Sequence, residues 1–185
     1  MTPKAESSPE ERDLELIELW KAGDSRAATK LVGRHAEALA RFAASSGERE
    51  GIEELVQDTF VRAFASLGAF RGESSLRTWL FTIERRLMLD RRRAERRSRE
   101  TVPIEDADHV SEYGALDSLI AEEAQERVRQ SLELLSPMQR EVFTLRVRQG
   151  LSYREIAEVV DTTEGAARVH YHNAVWTVKE FLKDE

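Results

Sequence analysis

Residues 151–171 have the sequence LSYREIAEVVDTTEGAARVHY, which predicts two short helices joined by a turn of about three residues. Ser152 and Glu155 form a capping box that begins the first helix, and Thr163 is placed to cap the second. Ala157 is small at the point where the two helices touch. Helices joined this tightly are typical of a helix-turn-helix.

A helix-turn-helix places the N-terminal half of its second helix in the major groove of DNA. Gly165 is small enough for close approach to a phosphate at the helix N-terminus. Hydrogen-bond donors to phosphates and base edges follow at Arg168, His170, His172 and Asn173. The two histidines point to different faces of the helix, so they do not predict a metal site. The alternative is a helical hairpin that only packs on another protein.

The chain is acidic overall, with a formal net charge of −7 over 185 residues, but its charges are segregated. Residues 85–99 carry eight arginines and two acidic residues, whereas residues 100–126 carry nine acidic residues and no lysine or arginine. A solvated helix face followed by a disordered tether explains this pattern on charge alone. The distribution of charge is therefore more informative than its sum.

Composition excludes several classes of protein. The chain has no cysteine, which rules out disulfides, thiolate zinc sites and a cysteine nucleophile. No apolar run reaches the roughly 18–20 residues of a membrane span, and the first residues lack the apolar core of a secretory signal. We expect a cytoplasmic protein without direct membrane insertion.

The predicted fold class is all-α, with two small helical domains joined by a flexible linker. Apolar residues recur at helical spacing from Ile52 to Leu67, and the loop GAFRGESS follows. Ser74 or Ser75 is placed to cap the next helix, whose inner face includes Trp79. We expect a disordered tail at 1–9, a domain at 10–97, an acidic linker at 98–120 and a second domain at 121–183.

Two stretches carry a family resemblance. The sequence ELVQDTFVRAFASLGAFRGESSLRTWLFTIERRLMLDRRR at 54–93 resembles region 2 of the bacterial extracytoplasmic function (ECF, group IV) sigma factors. The sequence LSPMQREVFTLRVRQGLSYREIAEVVDTTEGAARVHYHNA at 135–174 looks like region 4 of the same family, and AGDSRAATKLVGRHAEAL at 22–39 is a weaker match. The resemblance implies an alternative sigma factor that binds core RNA polymerase, recognises −35 and −10 promoter elements, and melts the −10 region. It implies no enzymatic activity, cofactor or small-molecule substrate.

The same resemblance implies roles for individual residues. Docking on a coiled coil of core polymerase falls to Leu55, Val56, Gln57, Asp58 and Phe60. In the family, single-stranded −10 DNA is bound with one base flipped out of the stack, which here would lie beside Phe70 and Trp79. The residues implied to bind this DNA are Phe70, Arg71, Ser74, Arg77, Arg85, Arg86, Arg92 and Arg93. Duplex −35 DNA falls to Arg154, Thr163, Glu164, Gly165, Arg168, Val169, His170, His172 and Asn173. For Phe60, Phe64 and Leu67, ordinary core packing is the preferred interpretation.

Three positions depart from what many relatives have. Arg86 stands where many carry asparagine, and His170 and Asn173 stand where many carry arginine. The second helix is therefore less basic than is usual in the family. We expect an altered promoter preference, and −35 binding that is weak or depends on pH.

The family implies an anti-sigma factor that holds the protein inactive, and a linker that threads the RNA-exit region of polymerase. The acidic linker then either mimics nucleic-acid charge in a basic channel or serves as a soluble tether. An autonomous helix-turn-helix repressor or activator, dimeric on palindromic DNA, is the main alternative, but it leaves the FRGESS loop and the arginine-rich helix unexplained. A hydrolase has little support, because no catalytic spacing or nucleophile elbow is present.

Overall fold

The computed structural model of the chain describes residues 8–99 and 119–183, with side chains for 8–97 and 126–183. Within those ranges the chain forms eight α-helices, one short 3-10 turn and no strand, which confirms the all-α fold class. The helices are α1 (Pro9–Lys21), α2 (Ser25–Ser45), α3 (Ile52–Ser66), α4 (Leu76–Arg99), α5 (Leu119–Glu133), α6 (Pro137–Val147), α7 (Tyr153–Val160) and α8 (Glu164–Lys183). We call α1–α4 the N-terminal domain and α5–α8 the C-terminal domain.

Local capping signals define the helix starts. Ser8 forms a capping box with Glu11 and places Pro9 at the first turn of α1, so the helix begins inside the tail expected at 1–9. Ser75, rather than Ser74, accepts a hydrogen bond from the backbone N–H of Thr78 at the start of α4. Much of the linker expected at 98–120 lies outside the described residues, and α4 and α5 each extend about two residues into it.

Aromatic rings fill the core of the N-terminal domain. Phe42 of α2 meets Phe81 of α4 edge to face, with ring centroids 5.3 Å apart, and both side chains are fully buried. Trp20 of α1 stacks on Phe64 of α3, also at 5.3 Å. Truncating such a buried ring to alanine typically costs about 3–5 kcal/mol, so these contacts hold the four helices in one bundle.

A buried ion pair joins α1 to α2. The Asp13 carboxylate accepts a hydrogen bond from Arg34 Nε at 2.7 Å, and its other oxygen lies 2.9 Å from His35 Nε2. Burial raises the pKa of Asp13, but the hydrogen bonds and charges of His35 and Arg34 outweigh burial and bring the pKa below its ordinary value. The ionised carboxylate therefore stabilises the α1–α2 contact.

Glu84 of α4 is fully buried. Neither of its carboxylate oxygens has a hydrogen-bond partner among the described residues. Burial raises its pKa well above the usual range, and the negative charge of Glu48 adds to the increase. Its ionised form is therefore disfavoured in the folded chain.

The C-terminal domain is built around α8. Leu132 and Leu135 pack with Ala174 and Val178 in one apolar cluster, which fixes α5 against α8. Asp161 ends α7 in the left-handed conformation, with φ 54° and ψ 61°, and this sharp turn directs the chain into α8. No helix in the described ranges is both long and apolar enough to span a membrane.

The two domains pack against each other. Helix α4 lies along α7, and α2 lies along α6. One continuous apolar cluster includes Phe81 and Leu80 from the first domain and Ile156 and Val142 from the second. In addition, Gln149 donates a buried hydrogen bond to the carbonyl oxygen of Ala38 at 3.4 Å. We refer to this packing as the closed arrangement.

Candidate polymerase and nucleic-acid interfaces

The turn between α7 and α8 has the geometry that its sequence predicts. Ser152 and Glu155 form the capping box of α7, with Ser152 Oγ accepting from the Glu155 N–H at 3.3 Å. Thr163 Oγ1 accepts from the Ala166 N–H at 3.1 Å and so caps α8. Ile156 and Ala157 are buried beneath the turn. The start of α8 is therefore held rigidly at the surface.

Tyr153 connects three helices of the C-terminal domain. The guanidinium of Arg146, on α6, lies 4.7 Å from the centre of its ring, and that of Arg168, on α8, lies 4.9 Å from it. Tyr171 meets the same ring edge to face at 5.8 Å. Arg168 also forms an ion pair with Glu164 at 2.5 Å. These contacts hold Arg168 in place on the outer face of α8.

All but one of the residues predicted to contact −35 DNA are exposed. His170 is the exception, because it is half-buried. The exposed members are Arg154, Thr163, Glu164, Gly165, Arg168, Val169, His172 and Asn173. The sequence interpretation did not include Trp176, which is 63% exposed and lies two helical turns beyond Val169 on the same helix. Trp176 follows Val169 by seven residues, a spacing that places two side chains on the same face of a helix, and this spacing could have identified it from the sequence.

The residues predicted to dock on polymerase divide into two groups. Leu55, Val56 and Phe60 are buried in the core, whereas Gln57 and Asp58 are exposed on the opposite face of α3. Buried side chains position this face and only the exposed ones can contact a partner.

Two further features of that face of α3 were not identified from the sequence. Val61, one turn after Asp58, is 67% exposed. Arg91 of α4 lies 3.4 Å from the Asp58 carboxylate and 3.7 Å from that of Glu54. The surface is therefore polar and charged, with the side chain of Val61 exposed among the charged groups.

The loop before α4 brings together two of the aromatic groups expected near −10 DNA. The rings of Phe70 and Trp79 have centroids 5.1 Å apart and an interplanar angle of 48°, and both are half-buried. Arg71 extends into solvent, 4.0 Å from Glu73, and Ser74 is half-buried. The loop thus offers an aromatic pair next to an exposed arginine.

The arginines of α4 point in two directions. Arg86 and Arg93 are exposed. Arg77, Arg85 and Arg92 recur at spacings close to two helical turns, and each contacts the C-terminal domain. The helix therefore has a free basic face and a covered basic face.

The covered face forms a polar seam with α6, α7 and the turn between them. Glu141 of α6 accepts from Arg85 Nε at 2.7 Å and lies 3.7 Å from Arg92 Nη1. Arg77 donates to the Gln149 side-chain oxygen at 2.5 Å. The Glu141 side chain is 3% exposed and that of Arg85 is 12% exposed. The Arg85–Glu141 contact is therefore a desolvated ion pair between the domains, and removing one of its partners is costly.

Glu155 has two roles in this seam. Its carboxylate caps α7 through Ser152 and accepts from Thr78 Oγ1 of α4 at 3.0 Å. Burial raises the pKa of Glu155, but the hydrogen bonds from Ser152 and Thr78 and the charge of Arg77 bring it below its usual value. A residue that appears in the sequence as a helix cap is therefore also an interdomain contact.

Comparison with known families identifies both domains. The family model described as Sigma-70 region 2 matches residues 31–98, and that described as Sigma-70, region 4 matches residues 125–178. The ECF RNA polymerase sigma-E factor of Haemophilus influenzae is 30% identical over 182 residues, covering 94% of each chain. The chain belongs to the ECF sigma factors of RNA polymerase. It is accordingly an alternative sigma factor that directs promoter-specific transcription.

Other relatives of this sigma factor agree. The ECF RNA polymerase sigma factor BldN of Streptomyces coelicolor is 31% identical, with 98% of this chain and 70% of that protein covered. Among solved structures, the sigma factor RpoE in complex with the anti-sigma factor NepR from Bartonella quintana has a TM-score of 0.67 at 30% identity, covering 85% of this chain and 97% of that one. CnrH in complex with the cytosolic domain of CnrY has a TM-score of 0.68 at 29% identity, covering 94% and 99%.

Proposed function

We propose that this sigma factor reads the −35 element with the exposed surface at the start of α8. The observation that carries the proposal is the capped N-terminus of α8, where Arg168 is held by Tyr153 and Glu164 beside exposed His172 and Asn173. A helix N-terminus attracts phosphate, and the side chains of the first turns reach base edges. The half-buried His170 supports that surface rather than contacting bases.

The −10 element is assigned to the loop and the basic faces of α4. Phe70 and Trp79 provide an aromatic surface for an unstacked base, with Arg71 available to a phosphate. Melting is driven by binding energy, so the protein acts by binding and not by catalysis. Arg85 contacts Glu141 in the closed arrangement, so full engagement of −10 DNA requires the domains to separate.

Core polymerase is assigned to the exposed face of α3, through Gln57 and Asp58. The exposed Val61 supports the assignment, because an apolar group within a polar surface is common at protein interfaces. A protein that works with polymerase on chromosomal promoters acts in the bacterial cytoplasm.

An anti-sigma partner is proposed by analogy with two structural neighbours. RpoE is seen bound to the anti-sigma factor NepR and CnrH to the cytosolic domain of CnrY, and this chain is about as similar to each of them. Such a partner would act by favouring the closed arrangement or by covering α3.

The test is multi-round transcription from a genomic fragment library with purified core polymerase, with and without the sigma factor. We expect new transcripts that start a fixed distance from a shared two-part element. Arg168→Gln should relax selection at the −35 part alone, while Arg12→Gln, an exposed change on α1, should leave both parts unaltered. New transcripts with no shared element, or tight duplex binding without polymerase, would contradict the assignment and favour a repressor.

A further inference from the structure

A cleft of about 450 Å³ lies between the two domains, away from both the α8 surface and the aromatic loop. Its size is in the range of small-molecule sites. The lining residues are Ser46, Gly47, Leu89, Arg92, Arg93, Arg96, Leu135, Pro137 and Arg140. Four arginines thus converge on one cleft in a protein whose net charge is −7.

The positive charge in this cleft is only partly neutralised. Arg92 is satisfied by Glu48 at 3.0 Å and by the Ser46 carbonyl oxygen at 2.6 Å, and Arg93 lies 3.5 Å from Asp90. Arg96 has no ion pair within the described part of the chain. Arg96 and Arg140 are therefore the groups available to an added anion.

Arg140 is the arginine of this cleft whose hydrogen bonds are least complete. Its Nη2 donates to the Glu133 carbonyl oxygen at 3.1 Å, but its buried Nε has no acceptor among the described residues. Burial lowers the pKa of Arg140, and the positive charges of Arg92 and Arg49 lower it further, against the opposing effect of Glu133. A guanidinium in such surroundings gains from a negatively charged partner.

Two further features lie at the cleft wall. The buried hydroxyl of Ser46, at the cleft wall, also has no hydrogen-bond partner within the described ranges. Pro137 at the wall is the first residue of α6, so the positive end of that helix dipole lies at the cleft. The apolar side chains of Leu89, Leu135 and Pro137 complete the lining.

We propose that this interdomain cleft binds a phosphorylated small molecule of nucleotide size. Arginine forks bind phosphate oxygens in pairs, and the apolar wall accommodates a base or sugar. Because Arg96 comes from the N-terminal domain and Arg140 from the C-terminal domain, the bound molecule favours the closed arrangement. The cleft is thus a regulatory site separate from the α8 surface and the Phe70–Trp79 pair, and it shares Arg92 and Arg93 with the basic faces of α4.

The test is calorimetric titration of the full chain with GTP, ATP and inorganic pyrophosphate, without polymerase or promoter, so it does not depend on the proposed promoter contacts. We expect one GTP or ATP per chain, bound more tightly than pyrophosphate. Arg140→Gln and Arg96→Gln should each weaken nucleotide binding about tenfold or more, since each removes a charge-assisted hydrogen bond. The matched control is Arg26→Gln, on α2 about 30 Å along the helix axis from Ser46, which should have no effect.

Arg140→Lys gives a second measurement, because it keeps the charge while removing the planar fork; we expect intermediate affinity and an unchanged far-ultraviolet circular dichroism spectrum. No heat of binding at about 1 mM nucleotide would overturn the proposal. Equal affinity for pyrophosphate and GTP, or equal weakening by Arg26→Gln, would overturn it as well.

Discussion

Replacing Glu141 with glutamine tests whether the polar seam holds the domains together. Glu141 accepts from Arg85 at 2.7 Å between two side chains that are almost completely buried. Arg92 keeps its pairing with Glu48 in the variant, so the cost of Glu141→Gln falls mainly on Arg85. Opening the domains relieves that cost, because Arg85 is then solvated by water.

The expected magnitude follows from the chemistry of the pair. Deleting one partner of a buried ion pair costs about 3–5 kcal/mol, but glutamine retains an oxygen that Arg85 can use. The loss of charge assistance alone is therefore about 2–3 kcal/mol. This shifts the balance between closed and open molecules by about 30- to 140-fold. A population that is about 1% open becomes about one-quarter to more than one-half open.

Single-molecule energy transfer measures this shift directly. The chain has no native cysteine, so dyes attach only at Lys30→Cys and Lys179→Cys, two exposed positions in different domains. Glu141→Gln should move molecules to a longer dye separation, and Glu158→Gln, an exposed change on α7, should not. Adding Arg85→Gln to Glu141→Gln removes the stranded charge and should restore much of the closed population. An unchanged separation in a folded Glu141→Gln variant would refute the reasoning.

Four other predictions concern stability and DNA binding. Asp13 has a lowered pKa, so its contribution to folding stability is present above about pH 4 and is lost as the pH falls through its pKa in the folded chain. Asp13→Asn should therefore lower the free energy of unfolding by about 1.5–3 kcal/mol at pH 7 and by less in acid, as measured by thermal unfolding. Glu84 has a raised pKa, so Glu84→Gln should show the opposite profile, stabilising the chain increasingly as the pH rises above about 4.3. Asp161→Val should destabilise by about 1–2 kcal/mol because φ is 54°, while Asp161→Gly should be tolerated in the same denaturation experiment. Arg168→Gln should weaken binding of holoenzyme to −35 DNA and reduce the salt slope of log K by up to about 1, as measured by anisotropy; an unchanged slope and affinity would remove Arg168 from the interface.

Much of the fold follows from local sequence signals. The capping boxes at Ser136 and Ser152, the cap at Thr163 and the apolar spacing in α3 depend on residues three or four positions apart. Such signals act through backbone hydrogen bonds within one helix turn, so they can be identified without knowing what packs nearby. The exposed residues at the start of α8 could also be identified from the sequence of that helix alone.

The partners of α4 could not be found in this way. In the sequence, nothing distinguishes Arg77, Arg85 and Arg92 from the other arginines nearby. Only tertiary packing places these three against Gln149 and Glu141. The acceptors lie 49 to 72 positions away in the chain, from the Arg92–Glu141 pair to the Arg77–Gln149 pair. Local sequence patterns carry no information about pairs so far apart.

The amino-acid sequence by itself determined the helices, their caps, the segregation of charge and the family. Tertiary structure alone decided which arginines are free and which are covered, and it created the cleft that Arg96 and Arg140 share. The physical reason is that helix formation depends on near neighbours. Desolvation and charge pairing depend instead on the atoms that surround a group in three dimensions.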